Sequence, residues 1–122
     1  LGMELDSVEA GRAVFSLEPA EFHYNPIGSV HGGVYATLLD SACGCAVHSM
    51  LAADQGYTTL ELKVAYHRAL GGDTGPVEAI GTVLSIGRRV AFAEAQLKDS
   101  RGRLLGSATS TLLVFELPAA SG

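Results

Sequence analysis

The sequence predicts an α+β domain, one long helix wrapped by a strongly curved antiparallel sheet. A run from about Gly33 to Leu51 contains no proline and is small or apolar almost all round. It is too long for a strand, and a helix apolar on every side is expected to be enclosed by the rest of the protein. Past Asp54-Gln55-Gly56 the hydrophobic period changes to two, the spacing of strands. No helical stretch separates those later strands, so their pairing should be antiparallel.

Each element follows in order. "MELDSV" and "RAVFSL" alternate apolar and polar residues around Glu9-Ala10-Gly11, which reads as a hairpin. From Glu18 to Val30 the chain is rich in turn residues, among them Pro19, Asn25-Pro26 and Gly28-Ser29. The helix follows. "YTTLELKVAYHRA" then alternates until Gly71-Gly72-Asp73, and "PVEAIGTVLSI" until Gly87-Arg88-Arg89. "VAFAEAQLKDS" turns at Arg101-Gly102-Arg103, and "LLGSATSTLLVFE" closes the sheet. The expectation is a single domain over 1–117, with 118–122 a loose tail.

The chain has 122 residues, enough to bury a core without staples. Its net charge of −5, with no basic stripe, argues against nucleic acid as a partner. No stretch is long and apolar enough for a membrane span, since the apolar body of the helix carries Asp40 and Ser41. Cys43 and Cys45 sit two apart, pointing in opposing directions on a helix, so they cannot bridge. Two thiols without a disulfide framework fit a reducing cytoplasm, and a two-cysteine pair is too sparse for zinc. No metal and no cofactor is expected.

The helix opens on chemistry. The first N–H groups of a helix lack partners within it and together carry roughly half a positive charge. Gly32 and Gly33 bring no Cβ, so an external oxygen can approach the backbone there. They read as donors for a carbonyl that gains negative charge in a reaction, or as a simple turn into the helix. Asp40 is the sharper signal. A carboxylate in an apolar helix with no Lys or Arg within a turn is costly unless it is useful or caps another loop. Desolvation would raise its pKa, which suits a general base or nucleophile. Gly32 and Asp40 lie eight residues apart, roughly 12 Å along the axis at 1.5 Å per residue. One reacting carbon cannot touch both groups of one helix. Two antiparallel helices related by a twofold axis would bring Gly32 of one chain to Asp40 of the other.

Asn25-x-x-Gly28-x-x-His31-Gly32-Gly33, followed by Leu38 and Asp40, resembles the signature of hotdog-fold acyl-CoA thioesterases, in their phenylacetate-pathway (PaaI-like) branch. The resemblance covers nearly the whole chain. It implies acyl-CoA as substrate, no metal, a homodimer and commonly a dimer of dimers. By position it implies that Asp40 is the base or nucleophile and that the Gly32 amide polarises the thioester carbonyl. Asn25 would orient carbonyl or water, His31 would sit near the thioester sulfur, and Thr59 would help to hold the water. CoA contacts would come from Gly33, from Tyr66, His67 and Arg68, from Ser85, and from the Gly87-Arg88-Arg89 turn. The paired arginines suit a phosphate independently of any family, in a chain otherwise acidic. Where the family often has proline after the position of Arg68, this chain has Ala69-Leu70-Gly71-Gly72. The acyl group would sit between two helices, against Tyr35, Leu38, Leu39 and Met50, and be aromatic or medium-chain.

Two other functions compete. A hydratase or dehydratase on the same fold would pair a His with an acid on the acyl chain, without the Gly-Gly that separates His31 from Asp40 here. A non-catalytic acyl-CoA-binding module would need the groove and the arginines but no buried acid.

Overall fold

The computed structural model describes residues 2–18, 32–68 and 74–118. The strands are β1 (Met3–Glu9), β2 (Arg12–Leu17), β3 (Gln55–Tyr66), β4 (Val77–Ile86), β5 (Val90–Asp99) and β6 (Leu104–Glu116). The helix α1 (Gly32–His48) stands between β2 and β3. All six strands form one antiparallel sheet in the order β1-β2-β4-β5-β6-β3. The helix therefore carries the chain from one side of the sheet to its far edge, where β3 pairs with β6. One helix on one curved antiparallel sheet is the hotdog fold.

The inner face of the sheet shows why the helix sits so close. One rung crosses four strands as Ala13, Gly81, Ala95 and Ala108, all buried small residues placed opposite one another. A Cβ on Gly81 would lie 2.1 Å from the carbonyl oxygen of Ala42, so the helix backbone rests on bare strand. Around this contact pack Leu17, Tyr35, Leu38, Leu39, Val47, Leu97 and Leu112, each essentially solvent-free. Alternation along β5 puts Ala91, Ala93, Ala95 and Leu97 inside and Phe92, Glu94 and Gln96 outside.

The helix ends at His48. Met50 and Leu51 donate to the carbonyls of Val47 and His48, tightening the last turn. Ser49 Oγ accepts from the Gly11 N–H at 2.8 Å and donates to the Ala46 carbonyl at 2.6 Å. That single hydroxyl ties the helix C-terminus to the β1–β2 turn. At the opposite corner, Asp99 takes the N–H groups of Arg101 and Arg103 and the Nε of Arg103, closing the β5–β6 turn.

The helix is not enclosed on every side, as its composition suggested. Gly33, Thr37 and His48 are exposed, and Ala36, Asp40, Ser41 and Cys45 are half-buried. A single helix laid on one sheet face covers only the side that meets the sheet, so a stripe is left open. Tyr35, Leu38 and Leu39 point the other way, into the sheet, with exposures of 0–1%. They belong to the core and do not face a pocket. Met50 lies against Gly11 at the hairpin end.

Candidate active site

The open stripe of α1 runs alongside β3, and the two elements meet through polar groups. At the helix start, the Tyr66 hydroxyl donates to the Gly32 carbonyl. A Cβ on Gly32 would stand 3.2 Å from that hydroxyl, so the bare residue lets the tyrosine close over the first turn. The N–H groups of that turn have no acceptors within the helix. Two turns later, Thr59 Oγ1 donates to Asp40 Oδ1 at 3.0 Å. The spacing explains the encounter. Asp40, Gly44 and His48 recur every four residues on one helix face, and Tyr57 and Thr59 are alternate residues on one strand face.

Asp40 is half-buried, and among the described residues no cation pairs with it. A carboxylate held by one hydroxyl, with an oxygen left over and an opening to solvent, can accept a proton from water or attack an electrophile. Among the described residues, no group of three His, Cys, Asp or Glu side chains is placed to hold a metal ion.

The remaining expected residues fall into three groups. Asn25 and His31 lie outside the described residues. Tyr66 ends β3 beside Gly32, and His67 and Arg68 follow it. There His67 Nε2 lies 2.9 Å from Ser107 Oγ, and the N–H groups of His67 and Arg68 share the Leu105 carbonyl. Ser85, Gly87, Arg88 and Arg89 occupy the far end of the sheet. Gly87 N–H donates to Val90 O to close that turn, and Arg89 O accepts from Val114 N–H, abreast of Tyr57. A groove there is lined by Gln55, Arg88, Arg89, Phe115 and Glu116. Within one chain the two sets of cations are thus separated by the length of β3 from Tyr57 to Tyr66, roughly 30 Å at 3.3 Å per residue.

A family model described as thioesterase superfamily matches residues 27–105. The chain belongs to the thioesterase superfamily. It is 32% identical, over 93% of its length and 91% of the relative's, to a 1,4-dihydroxy-2-naphthoyl-CoA hydrolase of Listeria monocytogenes. It is 29% identical to the medium/long-chain acyl-CoA thioesterase YigI of Escherichia coli, over 93% of this chain and 82% of that one. A mutant of the phenylacetic acid degradation protein PaaI from Thermus thermophilus superposes with a TM-score of 0.83 at 28% identity, covering 93% of each chain. A thioesterase from Haemophilus influenzae shares the fold with a TM-score of 0.90 at 20% identity, over 100% of this chain and 84% of its own.

In this thioesterase burial disfavours the thiolate form of both cysteines. Both are free, and Cys43 is buried. Burial, with the negative charges of Asp40 and Glu94 adding to it, pushes the Cys43 thiol up to about 12, and burial also raises Cys45. No helix among the described residues is long and apolar enough to cross a membrane. One residue that sequence reasoning missed is Tyr57, whose hydroxyl lies against Gly44 and whose ring lies against His48. Its place on the strand face of Thr59 was legible from the alternation, but its contact with Gly44 was not.

Proposed function

We propose that this thioesterase hydrolyses an acyl-CoA, with an aromatic or medium-chain acyl group, to the free acid and CoA, in a site shared by two chains. The observation that carries this reading is the Thr59–Asp40 hydrogen bond on the open stripe of α1. It supplies an oriented carboxylate where a second helix could lie, with Gly32 too far along the same helix to serve it. Relatives named as acyl-CoA hydrolases support the substrate class.

In this mechanism two copies pair β3 against β3 in antiparallel fashion, and their open helix stripes face each other. The thioester carbonyl lies on the Gly32 amide, where the helix dipole also favours the developing oxyanion. Asp40 of the partner takes a proton from water as the water oxygen bonds to the carbonyl carbon. The C–S bond then breaks, and the proton goes to the leaving thiolate, giving free CoA and the acid. Direct attack by Asp40 through an anhydride reaches the same products. Asn25 would orient the carbonyl or water, and His31 would sit by the sulfur. The same antiparallel pairing would set Arg88 and Arg89 of one chain beside Tyr66, His67 and Arg68 of the other. Ser85 and Gly87 would then border the same CoA path. Dimers would pair further into tetramers, in the cytoplasm.

The test is steady-state hydrolysis of phenylacetyl-, hydroxybenzoyl-, hexanoyl- and palmitoyl-CoA, read with a thiol-trapping dye, for wild type and Asp40→Asn. Turnover that collapses in the variant supports the reading. Wild type inert on all four would overturn it, and turnover indifferent to Asp40 would move the chemistry elsewhere. Oxygen labelling from water under single turnover separates base from nucleophile.

A further inference from the structure

The seam between α1 and β3 is filled differently on either side of Thr59. Beside Asp40 it is bordered by a small, half-buried threonine. One helical turn on, a large ring fills the seam. A Cβ on residue 44 would lie 2.5 Å from the Tyr57 hydroxyl oxygen and 2.9 Å from Cε2 and Cζ of its ring. The phenol occupies the volume that any other side chain at position 44 would take. Glycine in a helix interior is unfavourable relative to alanine, and no turn or positive φ asks for it here. Space for the ring is what it provides. A turn further, the His48 ring lies 5.9 Å from that of Tyr57, tilted by 50°.

We propose that the Tyr57 ring, seated on Gly44 and beside His48, is the end wall of the acyl pocket and sets the longest acyl group that the site accepts. The inference rests on the acyl-CoA reading above. In this reading the carbon under attack lies beside the half-buried Asp40 carboxylate, and the acyl chain runs from there over the half-buried Thr59 until it meets the Tyr57 ring. Burial, with Cys45 and Asp40 nearby, raises the Tyr57 phenol, so the wall is uncharged wherever the enzyme works near neutrality. An uncharged aromatic face suits an apolar acyl terminus.

The experiment compares kcat/KM for hexanoyl-, decanoyl- and palmitoyl-CoA in wild type, Tyr57→Phe, Tyr57→Ala, Gly44→Ala and the Gly44→Ala/Tyr57→Ala double variant. Removing the ring should raise the palmitoyl-to-hexanoyl ratio about tenfold or more, the scale on which apolar pockets discriminate methylenes. Tyr57→Phe should keep the wild-type profile. Gly44→Ala should shift the profile when Tyr57 is present and leave it alone when Tyr57 is absent, because the two act through one contact. An active Tyr57→Ala enzyme with an unchanged ratio overturns the wall and leaves the hydrolase standing. Uniform loss in Tyr57→Phe would assign the hydroxyl a reaction role and also overturn it. Wild type inert on every acyl-CoA overturns both readings. Should Tyr57→Ala fail to fold, Tyr57→Leu gives the same ratio with less core lost.

Discussion

Thr59 donates its hydroxyl hydrogen to Asp40 Oδ1 across 3.0 Å, from a strand at the sheet edge to the open face of the helix. That bond fixes which carboxylate oxygen is engaged and which is left for chemistry. Asp40→Asn should lower kcat by about a hundredfold or more, the range for loss of a positioned general base. Thr59→Val, which removes one neutral hydrogen bond, should cost about three- to tenfold in kcat with KM little changed. Steady-state kinetics on the best acyl-CoA checks both.

A site shared between chains makes a stronger demand. Gly32→Pro removes the amide donor while keeping a backbone suited to the first helical turn. Homodimers of Gly32→Pro or of Asp40→Asn should both be nearly inactive. Mixed after unfolding and refolding together, they should recover roughly a quarter of wild-type activity, because half the dimers are mixed and each holds one intact site. No recovery, with mixed dimers verified by mass spectrometry, would place both groups in one chain.

The close approach at Gly81 predicts a stability effect without any site chemistry. A methyl group there meets the Ala42 carbonyl oxygen at 2.1 Å and forces helix and sheet apart. Gly81→Ala should lose about 1–3 kcal/mol, as overpacked cores do, measured by urea denaturation. Activity should fall with it, since the helix that carries Asp40 must shift relative to Thr59.

Stability should decline at both ends of the pH scale. The Cys43 thiol is held protonated up to about 12 against an ordinary 9.0, and Cys45, Tyr57 and Tyr66 are raised too, all chiefly by burial. The folded state therefore binds protons that the unfolded chain has released. That contribution is complete below pH 9 and is lost progressively as pH climbs toward 12. Asp99 acts in the opposite sense. Burial alone would raise it, but the N–H groups of Arg103 and Arg101 and the Arg103 guanidinium hold it below 3.8. Its contribution is present above that value and disappears as pH falls through its lowered pKa. Urea midpoints measured from pH 2.5 to 11 should trace a plateau with two falling limbs, and Cys43→Ala should flatten the alkaline one.

The arginine turn gives a prediction about affinity. Arg88→Glu/Arg89→Glu should raise KM for acyl-CoA, and more so at low salt, where phosphate attraction is least screened. The same variant should treat an N-acetylcysteamine thioester, which has no phosphates, as wild type does.

Local patterns were the legible part of this chain. The change of period at Gln55, the glycine and arginine turns, and the proline-free run from Gly33 are read within short windows, and the observed elements follow them closely. Strand order was not legible, because β3 and β6 find each other across some fifty residues and no local pattern records that pairing. The position of Asp40 drew attention because a carboxylate among Leu39, Ala42 and Cys43 is chemically out of place. Its half-exposure was hidden, since composition cannot say which side of a helix a sheet will leave open. Tyr57 was hidden too. Its role depends on a missing side chain at Gly44, a contact between elements that sequence spacing does not show.

The place of β3 in the sheet also orders events in time. Among the described residues its hydrogen-bonded neighbour in the sheet is β6, which is synthesised some forty residues after β3 ends. Until Leu104–Glu116 has emerged from the ribosome, the strand that carries Tyr57, Thr59 and Tyr66 has no ladder to join. Pairings of such long sequence separation form slowly. The helix and the β1–β2 hairpin can collapse early, but the bond between Asp40 and Thr59 waits on β6. Until β6 docks, Asp40 lacks the Thr59 hydroxyl that orients it.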